Sequence, residues 1–262
     1  MRISLVTPSY NQAQFIGRTI DSVLSQKGDF ELDYRVIDGA STDGTVDILK
    51  SYGNRLQWIS EADRGQVEAI NKGLHAATGD VVGWLNSDDI LLPGALAKVA
   101  TAFESNPQAE WLHGRCQIID ENDNEVRRWV SAYKHYRSKH HSLENFLTEN
   151  YVSQMTVFWR RSIQDEVGYL DPDIRYAFDY DLILRLAHRS APLYIEDPIA
   201  CFRWYATSKS GSGFVVQMTE TTEIAASSPR SSLSIRGVAL AKKFAIINIY
   251  RAYGFARFKL KR

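Results

Sequence analysis

The chain has 262 residues, 44% hydrophobic and 24% charged, with no net charge at pH 7. That length can bury a substantial core in one large domain or two modest ones, and the neutral balance gives no electrostatic case for nucleic acid. Two cysteines, Cys116 and Cys201, cannot build a disulfide framework and lack metal-ligand spacing, which fits a reducing compartment.

In chain order, Ile3–Thr7 reads as a strand, followed by an apolar helical face at Phe15, Ile16, Thr19, Ile20, Val23 and Leu24. Tyr34–Asp38 reads as the next strand and ends in the polar turn Asp38-Gly39-Ala40-Ser41-Thr42-Asp43-Gly44. A short helix is predicted over 45–51, a strand over 56–60, a helix over 66–77 and a buried-type strand over 81–85. Leu92, Leu96, Val99 and Phe103 line up on a helix after Pro93. Strand–helix alternation of this kind specifies a mostly parallel α/β sheet with right-handed crossovers. Ligands of such sheets bind beyond the carboxyl ends of the strands, where 7–11, 38–43 and 86–89 all fall.

Beyond Trp111 the pattern changes. Residues 111–119, a turn at 120–124 and 126–130 predict a hairpin, 131–150 an acceptor-side loop, 155–159 a strand and 180–186 a helix. Residues 207–235, rich in Ser, Thr and Gly, predict a loop or linker. The N-terminus lacks the long apolar core of a signal peptide. No segment reaches the ~18 uninterrupted apolar residues of a membrane span, so a cytoplasmic enzyme is expected.

The sharpest chemical feature is Asn86-Ser87-Asp88-Asp89 at the end of a hydrophobic strand. Adjacent carboxylates repel unless a positive charge lies near, and a hard divalent cation taking one or two carboxylates plus phosphate oxygens would supply it. Read alone, the pair could equally cap the helix after Pro93. Asp38 at a strand end could accept hydrogen bonds from a base or ribose, or simply belong to a turn. Asp63-Arg64-Gly65-Gln66 leading to Asn71-Lys72 brings a helix N-terminus and two cations towards the same crevice, a plausible diphosphate environment. A solvated helix face is the plainer alternative for Lys72.

Taken in order, Val6-Thr7-Pro8-Ser9-Tyr10-Asn11, 38–45, 63–73, 79–89 and Phe178-Asp179-Tyr180-Asp181-Leu182 resemble family 2 glycosyltransferases of the GT-A fold, over about residues 1–210. The resemblance implies a catalytic domain over 1–210, with a nucleotide-sugar half to about 110 and an acceptor half beyond it. It implies inverting transfer from a nucleoside diphosphate sugar, UDP being the commonest nucleotide, with Mn or Mg. By position, Thr7, Pro8, Tyr10 and Asn11 would line the nucleotide pocket and Asp38 would hold the base. Arg64, Asn71, Lys72, Asn86 and Ser87 would complete the donor site, with Asp88 as metal ligand. Asn86 stands where the family has the first Asp of its DxD motif. Asp179 falls at the catalytic base, with Phe178 in place of the usual Glu. Tyr205 stands where the family often has a metal- or phosphate-binding His, and tyrosine is a poor ligand because its pKa is near ~10. Arg203 or Lys209 is the alternative diphosphate contact. The rival classes are a sugar nucleotidyltransferase, whose Gly-rich basic loop after the first strand is not present at 7–11, and a non-catalytic nucleotide-sugar binding module.

From Arg236 to Arg262 there are eight Lys or Arg and no Asp or Glu, so residues 1–235 carry −8. Leu240, Phe244, Ile247, Ile249 and Tyr250 are interspersed. The segment reads as a basic amphipathic tail (211–262 with its linker) for an anionic membrane surface on the cytoplasmic side, suited to a lipid-linked acceptor. The alternative is a packed helix with a solvated basic face.

Overall fold

The computed structural model describes residues 1–205, 208–209 and 213–259, and the side chains to residue 250. Eight strands form one sheet in the order β3-β2-β1-β4-β7-β6-β8-β5. They are β1 (Arg2–Ser9), β2 (Glu31–Asp38), β3 (Gln57–Ser60), β4 (Val81–Trp84), β5 (Ile90–Leu91), β6 (Trp111–Ile119), β7 (Phe158–Arg160) and β8 (Leu193–Arg203). β1 pairs in parallel with β2 and β4, and β2 with β3. The far half is mixed: β7 runs antiparallel to β4 and β6, β6 parallel to β8, and β5 antiparallel to β8.

The parallel strands are buried on both faces, so they read as nearly continuous apolar runs. Alternate residues separate cleanly. Ile3, Leu5, Val36 and Val81 pack with α1 (Ile16–Leu24), α2 (Thr45–Ser51) and α4 (Ala95–Ser105) on one side. Val6, Ile37, Val82 and Trp84 pack on the other with α3 (Gln66–Ala76), α6 (Leu143–Thr148), α7 (Gln164–Val167) and α8 (Phe178–Arg189). The glycine at position 73 lets α3 lie directly on β1, since a Cβ there would sit 2.2 Å from Val6 Cγ1.

The predicted elements of the first hundred residues form with shifts of at most three residues at their ends. The acceptor half departs further. The expected hairpin is reduced to a single bridge between Ile119 and Glu125, because the chain then enters α5 (Arg128–Lys139). The stretch 131–150, read as a loop, is thus two helices, α5 and α6. The expected linker contains α9 (Phe214–Ser227). Its composition is polar, but Thr219, Thr221 and Thr222 each return their hydroxyl to the carbonyl four residues back, satisfying it within the helix. The tail forms α10 (Leu233–Lys259), packed on α6 and α9. Both cysteines are buried and free.

Candidate active site

The ends of β1, β2 and β4 open into one crevice, and hydrogen bonds between their loops define its donor side. Asn11 takes a left-handed conformation (φ 52°), which turns its side chain onto the β2 loop. Its backbone N–H donates to Ser41 Oγ over 2.7 Å, and its Oδ1 accepts from Thr42 N–H over 2.9 Å. Asp43 accepts from the N–H of Ala13 over 2.9 Å and from the hydroxyl of Thr45 over 2.6 Å. Asp38 is fully buried and accepts from Ser41 N–H, Ser41 Oγ and Ser60 Oγ at 2.5–2.9 Å. The glycine after it makes room for Asp63, whose Oδ2 lies 2.8 Å from where a Cβ on Gly39 would stand. Asp63 therefore joins Asp38 at the pocket, a partner visible in the sequence only as the conjunction of that glycine with the 63–73 motif. Tyr10 is 64% exposed at the mouth.

Several residues expected at the donor site lie elsewhere. Thr7 is buried in β1 with its hydroxyl 3.1 Å from that of Tyr34, and Pro8 is buried beside it. A strand buried on both faces directs them into the core. Asn71 uses both ends of its amide on the backbone of Leu170, at 2.9 and 3.0 Å, tying α3 to the acceptor half. Lys72 is ion-paired with Glu61 and Glu68, and Arg64, highly exposed, also pairs with Glu68. These two cations compensate acids in their own neighbourhood.

The segment after β4 resolves the charge problem of Asp88 and Asp89. Asp89 turns into the interior, where Oδ1 accepts from Arg203 N–H over 2.9 Å and Oδ2 from Asn86 Nδ2 over 3.2 Å. Burial, with the charge of Asp88, pushes its carboxyl well above the usual range. Arg203, itself fully buried, donates to the carbonyls of Asp88 and Asp120 and pairs with Asp123. Arg203 is thus the buried positive charge beside the pair, and its full burial keeps it from a diphosphate in the crevice. The carbonyls of Ser87 and Asp89 both lie 2.8 Å from the Thr19 hydroxyl. Asp88 alone of the pair remains accessible to the crevice. Its Oδ2 accepts from Tyr205 Oη over 2.9 Å, and burial raises its pKa. Among the described residues no three His, Cys, Asp or Glu side chains cluster to hold a metal. One carboxylate oxygen suits an ion whose remaining ligands come from a diphosphate and water.

Asn86 is a hub. It accepts from Gln66 Nε2 over 2.9 Å, and its amide faces Asp89 and Gln154 at 3.2 and 3.4 Å. An aspartate there could make neither donation and would add a second charge against Asp89. Gln154, which also donates to the Trp84 carbonyl over 2.8 Å, arrives from the turn before β7 and carried no motif in the sequence. Lys209 reaches Gln66 Oε1 over 3.2 Å and lies 4.6 Å from the Phe178 ring centroid.

Asp179 is the second residue of α8, not its cap: it accepts from the N–H of Tyr180 over 2.8 Å, and the capping position, Ala177, supplies no side chain. Desolvation by burial raises its pKa, opposed by that bond and by the charges of Lys134 and Lys209. Lys134 projects from α5 and donates to Ser153 Oγ over 3.3 Å. It lies in the 131–150 stretch, whose pattern predicts a loop. Asp181 is held by Arg185 over 2.8 Å, away from this role. His140 and His141 differ in setting: the first is exposed, while the second is partly buried against Tyr151, 2.9 Å away, and burial lowers its pKa to about 4.

The sequence profile described as glycosyl transferase family 2 matches residues 4–167. The chain belongs to that family. An uncharacterized glycosyltransferase of Nostoc sp. is 32% identical over 48% of this chain and 40% of its own length. The PGL/p-HBAD biosynthesis glycosyltransferase of Mycobacterium tuberculosis is 29% identical over 70% of this chain and 68% of that protein. Staphylococcus aureus TarS 1–349, solved with UDP-GlcNAc, superposes with TM-score 0.68 and 20% identity, over 93% of this chain and 72% of that one. The mannosyltransferase PcManGT of Pyrobaculum calidifontis, solved with GDP-Man and Mn2+, gives 0.65 and 17%, over 92% and 69%. These neighbours establish the GT-A fold for this chain, and membership of the family makes it a transferase enzyme that moves glycosyl groups, which excludes the pure binding module and the nucleotidyltransferase.

Proposed function

We propose that this family 2 glycosyltransferase inverts configuration while moving a sugar from a nucleoside diphosphate sugar, UDP being the first nucleotide to test, to a glycan or lipid-linked acceptor in surface polysaccharide or lipopolysaccharide synthesis. One observation carries the reading. Asn86, next but one to Asp88, is linked through Gln66 to Lys209, whose charge bears on Asp179, which supports the two carboxylates serving one crevice from opposite halves. Asp63 and the Asn11 loop supply acceptors and donors for a base and ribose, and buried Asp38 positions that loop through Ser41 and Ser60.

In the chemical step Asp179 takes the proton of the acceptor hydroxyl as its oxygen attacks the anomeric carbon. The bond to the diphosphate breaks with its electron pair leaving on phosphate oxygen. A carboxyl with a raised pKa is a stronger base than an ordinary aspartate once ionised, and the Lys134 charge favours the ionised form. Mn2+ or Mg2+ held by Asp88 would neutralise charge on the departing diphosphate. The tail, cationic and rich in apolar residues, supports attachment at the cytoplasmic face of an anionic membrane. No helix among the described residues is long and apolar enough to cross one.

The test is a screen of nucleotide sugars for thermal stabilisation with and without Mn2+, followed by product analysis at the anomeric centre. Stabilisation by none of them, or a product of retained configuration, would refute the proposal.

A further inference from the structure

The helix that carries Asp179 begins without a cap of its own. Ala177 holds the capping position of α8 and has no side-chain oxygen to offer, so the N–H groups around the start of the helix draw on an acceptor from elsewhere. It comes from α9. Oε2 of Glu220 accepts from the N–H of Tyr176 over 2.7 Å and from that of Ala177 over 2.8 Å. Both donors lie directly before Phe178, the first residue of α8, and Asp179 is the second. A carboxylate bonded to backbone N–H groups is a stronger acceptor than a neutral one, and the positive end of α8 favours its charge.

The rest of α9 is fitted to α8 in the same way. At its start Gly213 abuts the Tyr176 ring, where a Cβ would stand 2.1 Å from Tyr176 Cε1. Beyond its end Ser228 Oγ lies 2.9 Å from His188 Nε2, in the last turn of α8. Between them Ala225 is buried in one core cluster with Phe178, Tyr180 and Leu184. The turn at 176–177 is therefore gripped by its ring and by its backbone. Lys209 stands over the same turn, its Nζ 4.6 Å from the Phe178 ring centroid and 5.5 Å from that of Tyr176. Burial lowers its pKa, and the charges of Asp179 and Glu220 together oppose that shift.

We infer that Glu220 is the positioning residue of the base: by fixing the 176–177 turn it sets the direction in which Asp179 meets the acceptor hydroxyl. The inference rests on Asp179 being the base and adds how that base is aimed. It also turns α9, in a stretch whose composition reads as a linker, into a support of the chemical step. A misplacement of about 1 Å in a reacting group costs on the order of 10²-fold in rate, so two bonds to the backbone of the first turn matter to turnover as well as to folding. What counts is an oxygen at the right reach, and the charge is secondary.

The experiment compares Glu220→Ala, Glu220→Asp and Glu220→Gln in the full chain, and Glu220→Ala combined with Asp179→Asn. The rate is release of nucleoside diphosphate from the nucleotide sugar that the stabilisation screen selects, with Mn2+ and with water as acceptor. Calorimetry of UDP with Mn2+ and the thermal midpoint report the donor site and the fold. Glu220→Ala, which has no acceptor, and Glu220→Asp, which withdraws it by one methylene, should each lower kcat roughly 10–10²-fold with UDP affinity unchanged. Glu220→Gln keeps an oxygen at the same reach and should stay within a few-fold of the intact chain. In the Asp179→Asn background Glu220→Ala should cost little more, because the two act as one unit. Hydrogen exchange of the peptide holding Tyr176 and Ala177 should quicken in the Ala and Asp variants and not in Gln.

If Glu220→Asp keeps the rate and Glu220→Gln loses it, charge and not geometry is the contribution, and the inference is overturned. This ordering also decides the matter should Glu220→Ala fail to fold. An equal loss on top of Asp179→Asn would mean that Glu220 acts by another route, leaving Asp179 as the base and the inference wrong. A loss that tracks the thermal midpoint and disappears on cooling would mark a merely structural contact and likewise overturn it. Should Asp179→Asn itself keep the rate, the base assignment falls and this inference falls with it.

Discussion

The Tyr205 hydroxyl donates to Asp88 Oδ2 over 2.9 Å, so the carboxylate best placed to meet a metal is already engaged by a phenol. Burial and the Asp88 charge push the Tyr205 hydroxyl far above its ordinary pKa. It acts as a neutral donor, and the carboxylate keeps its second oxygen. UDP is accordingly expected to bind more tightly with Mn2+ or Mg2+, with Asp88→Ala abolishing the metal effect and Tyr205→Phe preserving it. Calorimetry of UDP with and without metal on the three proteins checks this. Equal affinities in the unmutated protein would defeat the metal assignment, and loss of the effect in Tyr205→Phe would move the ligand role to the phenol.

Asp179→Asn should lose transfer by roughly 10²–10⁴-fold, the usual contribution of a general base, while keeping donor affinity. The amide matches the carboxylate in shape but cannot take the acceptor proton. Rates with saturating donor and acceptor, beside donor affinity from calorimetry, separate the chemical step from binding. Near-normal turnover with an unchanged pH profile would mean that another group is the base.

The donor half was legible in the sequence because its polar clusters sit directly after strongly patterned strands. The turns at 38–45 and 86–89 point to the loops that line the crevice, with Asp88 facing it and Asp38 buried beneath its own loop. What patterning could not show was which polar residue faces inward. Thr7 and Pro8 share a motif with Asn11, yet a strand buried on both faces places them in the core. Arg203 looked like a free cation, and only the return of β8 beside β5 reveals that it sits beneath Asp88 and Asp89. The acceptor half was less legible. In residues 128–139 the large apolar side chains Trp129, Tyr133 and Tyr136 are exposed, and α5 is held in part by side chains that a hydrophobic period does not detect, such as His135 against Tyr194 over 2.6 Å. Lys134 was hidden with it. The hydroxyl-rich 214–227 failed for a related reason, since threonines that bond within their own helix look like loop residues in composition.

His113 gives a prediction about stability. It is fully buried on β6 beside Trp111 and Tyr194, and neither ring nitrogen has a hydrogen-bond partner among the described residues. Burial, helped by the charge of His141, lowers its pKa to about 3. The folded state therefore excludes a proton that the unfolded imidazole accepts near pH 6.5. This contribution is full above that pH and is lost progressively as pH falls towards 3. The cost reaches about 2 kcal/mol at pH 5, from ~1.4 kcal/mol per pH unit per proton. Urea midpoints at pH 7 and pH 5 should differ accordingly, and His113→Phe should reduce the difference. An unchanged pH dependence in the variant would assign the proton uptake elsewhere.

Lys134 links α5 to the chemistry at Asp179. Burial lowers the lysine pKa, and the charges of Cys116, Asp179 and Glu149 oppose that shift. In the other direction, the ammonium is one of two cations that restrain the rise of the Asp179 pKa. The sign follows directly. Removing a positive charge makes the carboxylate harder to form, so the Asp179 pKa rises further. Under the proposed role of Asp179 activity needs the ionised base, and the acid limb of kcat/KM is expected to move to higher pH. Lys134→Gln should show this displacement with unchanged UDP affinity, because Lys134 has no contact with the donor loops. Lys134→Arg, which restores the charge, should return the limb towards its original position. A merely structural role would lower the rate at every pH without moving the limb, and that outcome would sever Lys134 from the ionisation of the base.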